Sequence, residues 1–314
     1  MTPSELTFPR AKLNLRIRRL ARPVESPMYH RISVAGKAAS VLLIVSTLQV
    51  HAQDSGKGIV SPPIPFELVS DFLVVVKGRI GKLDGLSFIL DTGTTNSVVD
   101  QKLANRLRLQ TRKGTILNFD RRMPVEWANI PELQVGNLRA TGLRVQVLNL
   151  AEYSEFAQKV DGIIGLDLLN RSRKLTIDYE QRIVSFQLAG DGTGERPLSG
   201  YHLVPLVVQG LPLRVLLDTG LQGILLYRAR LREGLPNMRT EGKPANIAVM
   251  GRIQGVQAKL PGVQIGGGPE ITVTVWLIDS SGDSPPGIDG YLGPTSLHAK
   301  RLEFDFGAKV MRWQ

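Results

Sequence analysis

The chain has 314 residues, 42% hydrophobic and 21% charged, an ordinary globular balance with room for one large or two modest domains. It contains no cysteine, which excludes disulfides, thiolate catalysis and Cys-ligated zinc. The formal net charge is +11, but residues 1–52 hold 8 of the 39 basic and only 2 of the 28 acidic residues. The remainder carries a net of +5 with no basic block interleaved with aromatics, so a nucleic-acid partner is not expected.

In chain order, residues 1–52 read as an N-terminal extension and signal peptide. Arg31 and Lys37 precede the apolar run "AASVLLIVSTLQV", and Val50 and Ala52 then sit at the −3 and −1 positions of a small-residue cleavage site. The run is short for a membrane span, and Met28 offers an alternative start. Export to the periplasm or exterior of a bacterium, with cleavage near Ala52, is the expectation. An uncleaved N-terminal membrane anchor is the alternative, and no stable membrane span is expected once the signal is removed.

The next segments read as strands. "FLVVVKGRI" turns at "GKLDG" into "LSFIL", which ends at Asp91. Asp100 is placed to cap a short helix over "QKLANRL". "ELQVGNLRATGLRVQVLNL" alternates apolar and polar residues about a Gly136-Asn137 turn, a second hairpin. "HLVPLVV" turns at "QGLP" into "LRVLL", which ends at Asp218. Further short helices are expected after Gly165 and Gly293.

The chain is written twice. Asp91-Thr92-Gly93 recurs as Asp218-Thr219-Gly220, 127 positions later. "DGIIGLDLL" from Asp161 recurs as "DGYLGPTSL" from Asp289, offset 128, and "KLTIDYEQRIVSF" from Lys174 recurs as "RLEFDFGAKVMRW" from Arg301, offset 127. "ANIPELQVGN" from Ala128 matches "AKLPGVQIGG" from Ala258, offset 130. Four blocks in one order at nearly one offset imply a tandem duplication. The units are 64–187 and 201–314, joined by a Gly-rich linker over 188–200.

A lone Asp-Thr-Gly is an ordinary strand-ending turn. Two copies at equivalent places in a repeated unit are different, because twofold packing of the units would bring Asp91 and Asp218 face to face. Two such carboxylates cannot easily both ionise, so they share a proton; the aspartic-protease dyad is the standard illustration of that rule. At this point the sequence resembles the aspartic protease superfamily, in which each lobe supplies one hydrophobic-hydrophobic-Asp-Thr-Gly loop. Ile163-Ile164-Gly165 and Tyr291-Leu292-Gly293 match the family's later hydrophobic-hydrophobic-Gly segment. The short units, and the absence of a flap Tyr around Phe119 to Pro124, are nearer to bacterial retropepsin-like proteins than to pepsin.

The resemblance implies an all-β fold of two pseudo-twofold-related, acid-protease-like β-barrel lobes with short helices. It implies an aspartic endopeptidase with Asp91 and Asp218 as catalytic residues, an extended peptide or protein as substrate, no metal and no other cofactor. Thr92, Gly93, Thr94, Thr219 and Gly220 are expected to support the catalytic loops. Thr94 follows the first motif and Leu221 the second, so Asp91 is expected to be mainly ionised and Asp218 mainly protonated. Flap hairpins are placed over Phe119, Asp120, Arg121 and Arg122 and over Met250, Gly251 and Arg252. A monomer is expected; a homodimer in which the two units do not pair with each other is the rival assembly. The rival function is a weak or inactive peptide- or ligand-binding protein of the same fold, suggested by Leu221.

Overall fold

The computed structural model describes residues 60–118, 121–152, 160–188, 202–232, 240–248, 252–279 and 287–314, with isolated positions at 235 and 238. The signal segment, nearly all of the expected linker, and the flap positions Phe119, Asp120, Met250 and Gly251 lie outside these residues. So do the side chains of Arg121 and Arg252. The described residues all belong to one unit, Gln53–Gln314.

Strands dominate. The N-terminal half runs β1 (Ile64–Val69), β2 (Leu73–Ile80), β3 (Leu83–Leu90), β4 (Val98–Asp100), α1 (Gln101–Arg106), β5 (Thr111–Asn118), β6 (Arg121–Val135) and β7 (Leu138–Leu148). A 3-10 turn at Leu150–Glu152 follows, then β8 (Gly162–Ile164), α2 (Leu166–Leu169), β9 (Ser172–Asp178) and β10 (Ile183–Leu188). The C-terminal half runs β11 (Leu203–Val208), β12 (Leu211–Leu217), β13 (Ile224–Tyr227), α3 (Arg228–Arg232), β14 (Glu241–Ala248), β15 (Arg252–Ile265) and β16 (Ile271–Ile278). It ends with β17 (Gly290–Leu292), a 3-10 turn at Pro294–Leu297, β18 (Arg301–Asp305) and β19 (Val310–Trp313).

The local reasons are those of the sequence. Gly81 and Gly136 turn with positive φ between β2 and β3 and between β6 and β7, where a residue with a Cβ would be strained. Asp100 caps α1 by accepting a 2.8 Å hydrogen bond from the Lys102 N–H. The expected flap segments are hairpins: Asn118 pairs with Arg121 between β5 and β6, and Ala248 pairs with Arg252 between β14 and β15. The helix α3 was not expected; its "RARLR" lacks an acidic first turn.

The strands form two sheets. One has twelve strands in the order β19-β18-β9-β10-β1-β2-β3-β8-β4-β7-β6-β5. The other has seven, in the order β11-β12-β17-β13-β16-β15-β14. The last two strands of the C-terminal half therefore leave its own sheet, β19 pairing with β18 and β18 with β9. In that pairing Thr176 stands opposite Glu303, with Leu175 opposite Phe304 and Ile177 opposite Leu302. Exchanging residues 127 apart turns this register into itself.

Alternation along the strands sorts side chains between two faces. Val74, Val76, Leu90, Val145, Val147, Val215 and Leu217 enter one large core that includes residues of both halves. Ile89, Val98 and Ile163 belong to a second, smaller cluster on the other face of the first sheet. Leu216, Leu225 and Tyr291 form its counterpart on the second sheet.

Candidate active site

The two Asp-Thr-Gly loops meet. Each follows a strand whose next neighbour is parallel: β3 beside β8, and β12 beside β17. The pairing continues one residue into each loop, because the Asp91 N–H donates to Ile164 O at 3.0 Å and the Asp218 N–H donates to Leu292 O at 2.9 Å. This is why each Asp emerges at the end of a greasy strand: the strand fixes it and the neighbouring strand removes its backbone from solvent.

The loops are bolted together by their threonines. Thr92 Oγ1 donates to Leu217 O and Thr219 Oγ1 donates to Leu90 O, both at 2.8 Å. In return, the Thr92 N–H donates to Thr219 Oγ1 at 3.0 Å and the Thr219 N–H donates to Thr92 Oγ1 at 3.2 Å. Each hydroxyl is both donor and acceptor, so four buried polar groups are satisfied by two side chains. Both threonines are fully buried.

This grip holds Asp91 and Asp218 in mutual contact, and the two carboxyl groups are hydrogen-bonded to each other. They are 3% and 4% exposed, among the few buried acids of the described residues. The glycines are needed for space rather than for an unusual backbone angle. A Cβ on Gly93 would lie 2.6 Å from Asp218 Oδ1, and one on Gly220 would lie 2.7 Å from Asp91 Oδ2. Each loop glycine thus makes room for the opposite carboxyl. Gly165 and Gly293 serve the loops from behind: a Cβ on Gly165 would lie 2.8 Å from Thr94 O, and one on Gly293 would strike Leu221 O.

The two carboxyls are not equivalent. Asp91 Oδ1 accepts from the N–H groups of Gly93 (2.8 Å) and Thr94 (3.1 Å), and its Oδ2 accepts from Thr94 Oγ1 (3.0 Å). Asp218 Oδ1 accepts only from the Gly220 N–H (2.8 Å) within its own loop. The Leu221 N–H turns back to the main-chain oxygen of Asp218 instead (3.2 Å). The Leu221 side chain is buried in the apolar cluster with Leu216, Leu225 and Tyr291.

Burial raises the pKa of both groups. For Asp91 the hydrogen bonds from Asp218, Gly93 and Thr94 pull it back down. For Asp218 the charge of Asp91 adds to burial and holds it well above the ordinary carboxylate range. The greater number of donors on Asp91 favours its ionised form and a proton on Asp218.

A side-chain carboxyl braces the first loop, where the second has none. Asp167, in α2, accepts from the Ser97 N–H at 2.9 Å and from Ser97 Oγ at 2.6 Å, and Ser97 Oγ accepts from the Gly165 N–H at 3.1 Å. The Leu166 N–H donates to Thr94 O at 2.9 Å. In the second half Thr295 stands in place of Asp167; there the Gly293 N–H donates to Gly223 O at 2.7 Å and the Gly223 N–H to Thr295 Oγ1 at 3.4 Å. Sequence reasoning missed this brace. The only signal was the mismatch of "GLDLL" with "GPTSL" inside otherwise matching blocks.

Of the flap residues, Arg122 is described: it is exposed on β6, opposite Leu117. Among the described residues no three His, Asp or Glu side chains group as a metal site.

Residues 76–168 match the family model for aspartyl proteases. This is the family that the paired loops resemble, and the matched segment contains Asp91, its loop and the Gly165 turn. Among solved structures the chain is similar to a retropepsin-like aspartic protease from Rickettsia conorii. That likeness has 16% identity and a TM-score of 0.31, covering 42% of this chain and 94% of that one. It is also similar to the EIAV protease complexed with the inhibitor HBY-793, at 21% identity and a TM-score of 0.26, covering 33% of this chain and 92% of that one. No curated protein matches the chain.

Proposed function

We propose that the protein is an aspartic endopeptidase in which Asp91 and Asp218 activate one water between them. The observation that carries this is the buried, hydrogen-bonded pair of carboxyls held by reciprocal threonine bonds. A pair at mutual contact in a dry setting favours one shared proton, and one acid beside one base is what amide hydrolysis requires. Asp91, ionised, takes a proton from the water as it attacks the peptide carbonyl. Asp218, protonated, donates to the carbonyl oxygen, and the proton taken by Asp91 then passes to the leaving amine. Peptide lies extended across the pair, adding backbone hydrogen bonds to the hairpins β5–β6 and β14–β15.

The unit is a monomer of two fused lobes related by an approximate twofold axis. Support comes from the self-image register of β9 with β18 and from the matched bonds of Thr92 and Thr219. The rival reading, a binding protein without turnover, rests on Leu221, which is buried in an apolar cluster where the first loop has the Thr94 hydroxyl on its carboxyl. Export through the N-terminal segment, with cleavage near Ala52, completes the proposal. N-terminal sequencing of the protein recovered outside the cytoplasm, beginning near Gln53, is the result expected.

The activity is tested with purified protein, Asp91→Asn and Asp218→Asn on a peptide library from acidic to neutral pH. Wild type should cleave, and each variant should lose at least about a thousandfold. Equal silence of all three, or equal cleavage, would contradict the proposal.

A further inference from the structure

The face of the first sheet that carries Asp91 is mainly apolar near the loop, with Lys77 and Ser87 bonded to each other at 2.8 Å farther along it. Ile89 is two residues before Asp91 and therefore shares its side of the strand. Ile89, Val98, Ile163, Val125 and Leu148 form the small cluster on that face, with Trp127 packed against it. Gln146 lies near the end of β7 between Val145 and Val147, both of which enter the main core on the opposite face. Its side chain therefore lies on the Asp91 face. Its main-chain N–H donates to Ser97 O at 2.9 Å, close behind the catalytic loop. Its neighbours across the sheet are Val98 on β4 and Trp127 on β6.

Gln146 is only 5% exposed, and its Oε1 is fully buried without a hydrogen-bond partner. A buried carbonyl oxygen left unpaired is unfavourable, and an apolar residue would fill the position at less cost. The second sheet shows this. Trp276 holds the same register there: it stands opposite Leu225 on β13 as Gln146 stands opposite Val98, and opposite Gln257 on β15 as Gln146 stands opposite Trp127. Trp276 packs against the apolar cluster of Leu221 and Tyr291. At this matched position the faces differ, a buried amide against an indole, and the cross-strand partners are reversed, Trp127 opposite Gln146 and Gln257 opposite Trp276.

We propose that Gln146 is a specificity-determining residue. Its Oε1 accepts a hydrogen bond from a substrate side chain that carries an N–H or O–H donor, an amide first of all, bound on the Asp91 side of the cleft. This rests on the peptidase reading of the carboxyl pair. A site with a waiting acceptor discriminates strongly against an isosteric apolar side chain, because that side chain leaves the acceptor buried and unpaired. The matched position on the Asp218 side, closed by Trp276, takes an apolar side chain.

The test is a peptide library varied one position at a time, with wild type, Gln146→Leu and Gln146→Met. Wild type should prefer Asn or Gln over Leu at one peptide position. Both variants should invert that preference by at least about tenfold in kcat/KM, leaving other positions unchanged. Both should also unfold at a temperature equal to or above that of wild type, since an unpaired acceptor has been removed. A merely structural glutamine would give the opposite: lower stability and the same preferences. An unchanged profile in cleaving variants overturns this inference alone. Absence of any cleavage by wild type overturns the peptidase reading beneath it.

Discussion

The two Asp-Thr-Gly loops share a sequence motif, a strand ending and a pair of threonine bonds, yet they hold their carboxyls differently. The first loop gives Asp91 three donors and is braced from behind by Asp167 on Ser97. The second gives Asp218 one donor and is held from behind by the Gly293 N–H on Gly223 O at 2.7 Å and one long contact to Thr295. The lesson is that two loops with one motif can keep the same scaffold while surrounding their carboxyls differently: more donors favour a charged carboxyl, fewer a protonated one.

The largest effect should come from what the loops share. Gly93→Ala and Gly220→Ala each push a methyl group into the opposite carboxyl, and either should lower kcat/KM by about a hundredfold or more with the fold retained. Unequal losses would show that the carboxyls are not held as symmetrically as their glycines suggest. Next, Thr92→Val and Thr219→Val each strand a buried N–H and a buried carbonyl. Each should cost about 2–4 kcal/mol in urea unfolding, and the double variant less than the sum.

The brace is where the halves part. Asp167→Ala should cost about 2 kcal/mol, against about 0.5 kcal/mol or less for Thr295→Ala, both by denaturant unfolding. Equal costs would remove the claimed difference in rigidity. A smaller effect separates the halves by pH. His202, at the start of the second half, is buried between Phe304 and Phe306 with Nε2 unpaired, and burial lowers its pKa to about 4. The unfolded chain then binds a proton that the folded chain refuses, so stability should fall as pH drops from 6.5 towards 4. The carboxyl pair acts with the opposite sign: its raised pKa values make stability fall as pH rises above about 3.8. His202→Leu should flatten the acid-side loss in melting temperature, and Asp218→Asn should raise melting at neutral pH.

Much of this was legible in the sequence because it is local. Hairpin turns at Gly81 and Gly136, the Asp100 cap, and the strand endings at Asp91 and Asp218 are each specified within a few residues. The repetition supplied the long-range step, since two matched loops suggested their own meeting. What escaped notice was carried by single side chains far apart in sequence. Ser97 and Asp167 are 70 residues apart and each looks like a loop or helix-start residue. Gln146 occupies a polar position in an alternating strand, which reads as solvent-facing; only the packing of Val98 and Trp127 reveals that it is buried. The pairing of β18 with β9 also needs the fold, because no local pattern says which sheet a C-terminal strand joins.

The shared proton is tested most directly by the pH dependence of kcat/KM for wild type, Thr94→Ala and Leu221→Thr. Wild type should give a bell, with one carboxyl ionised and one protonated at its summit. Removing the Thr94 hydroxyl should move the acid limb to higher pH, because Asp91 then ionises less readily. Giving position 221 a hydroxyl should move the alkaline limb to lower pH, because Asp218 then surrenders its proton sooner. A profile with a single limb, or limbs that move in the opposite directions, would contradict the division of roles between Asp91 and Asp218.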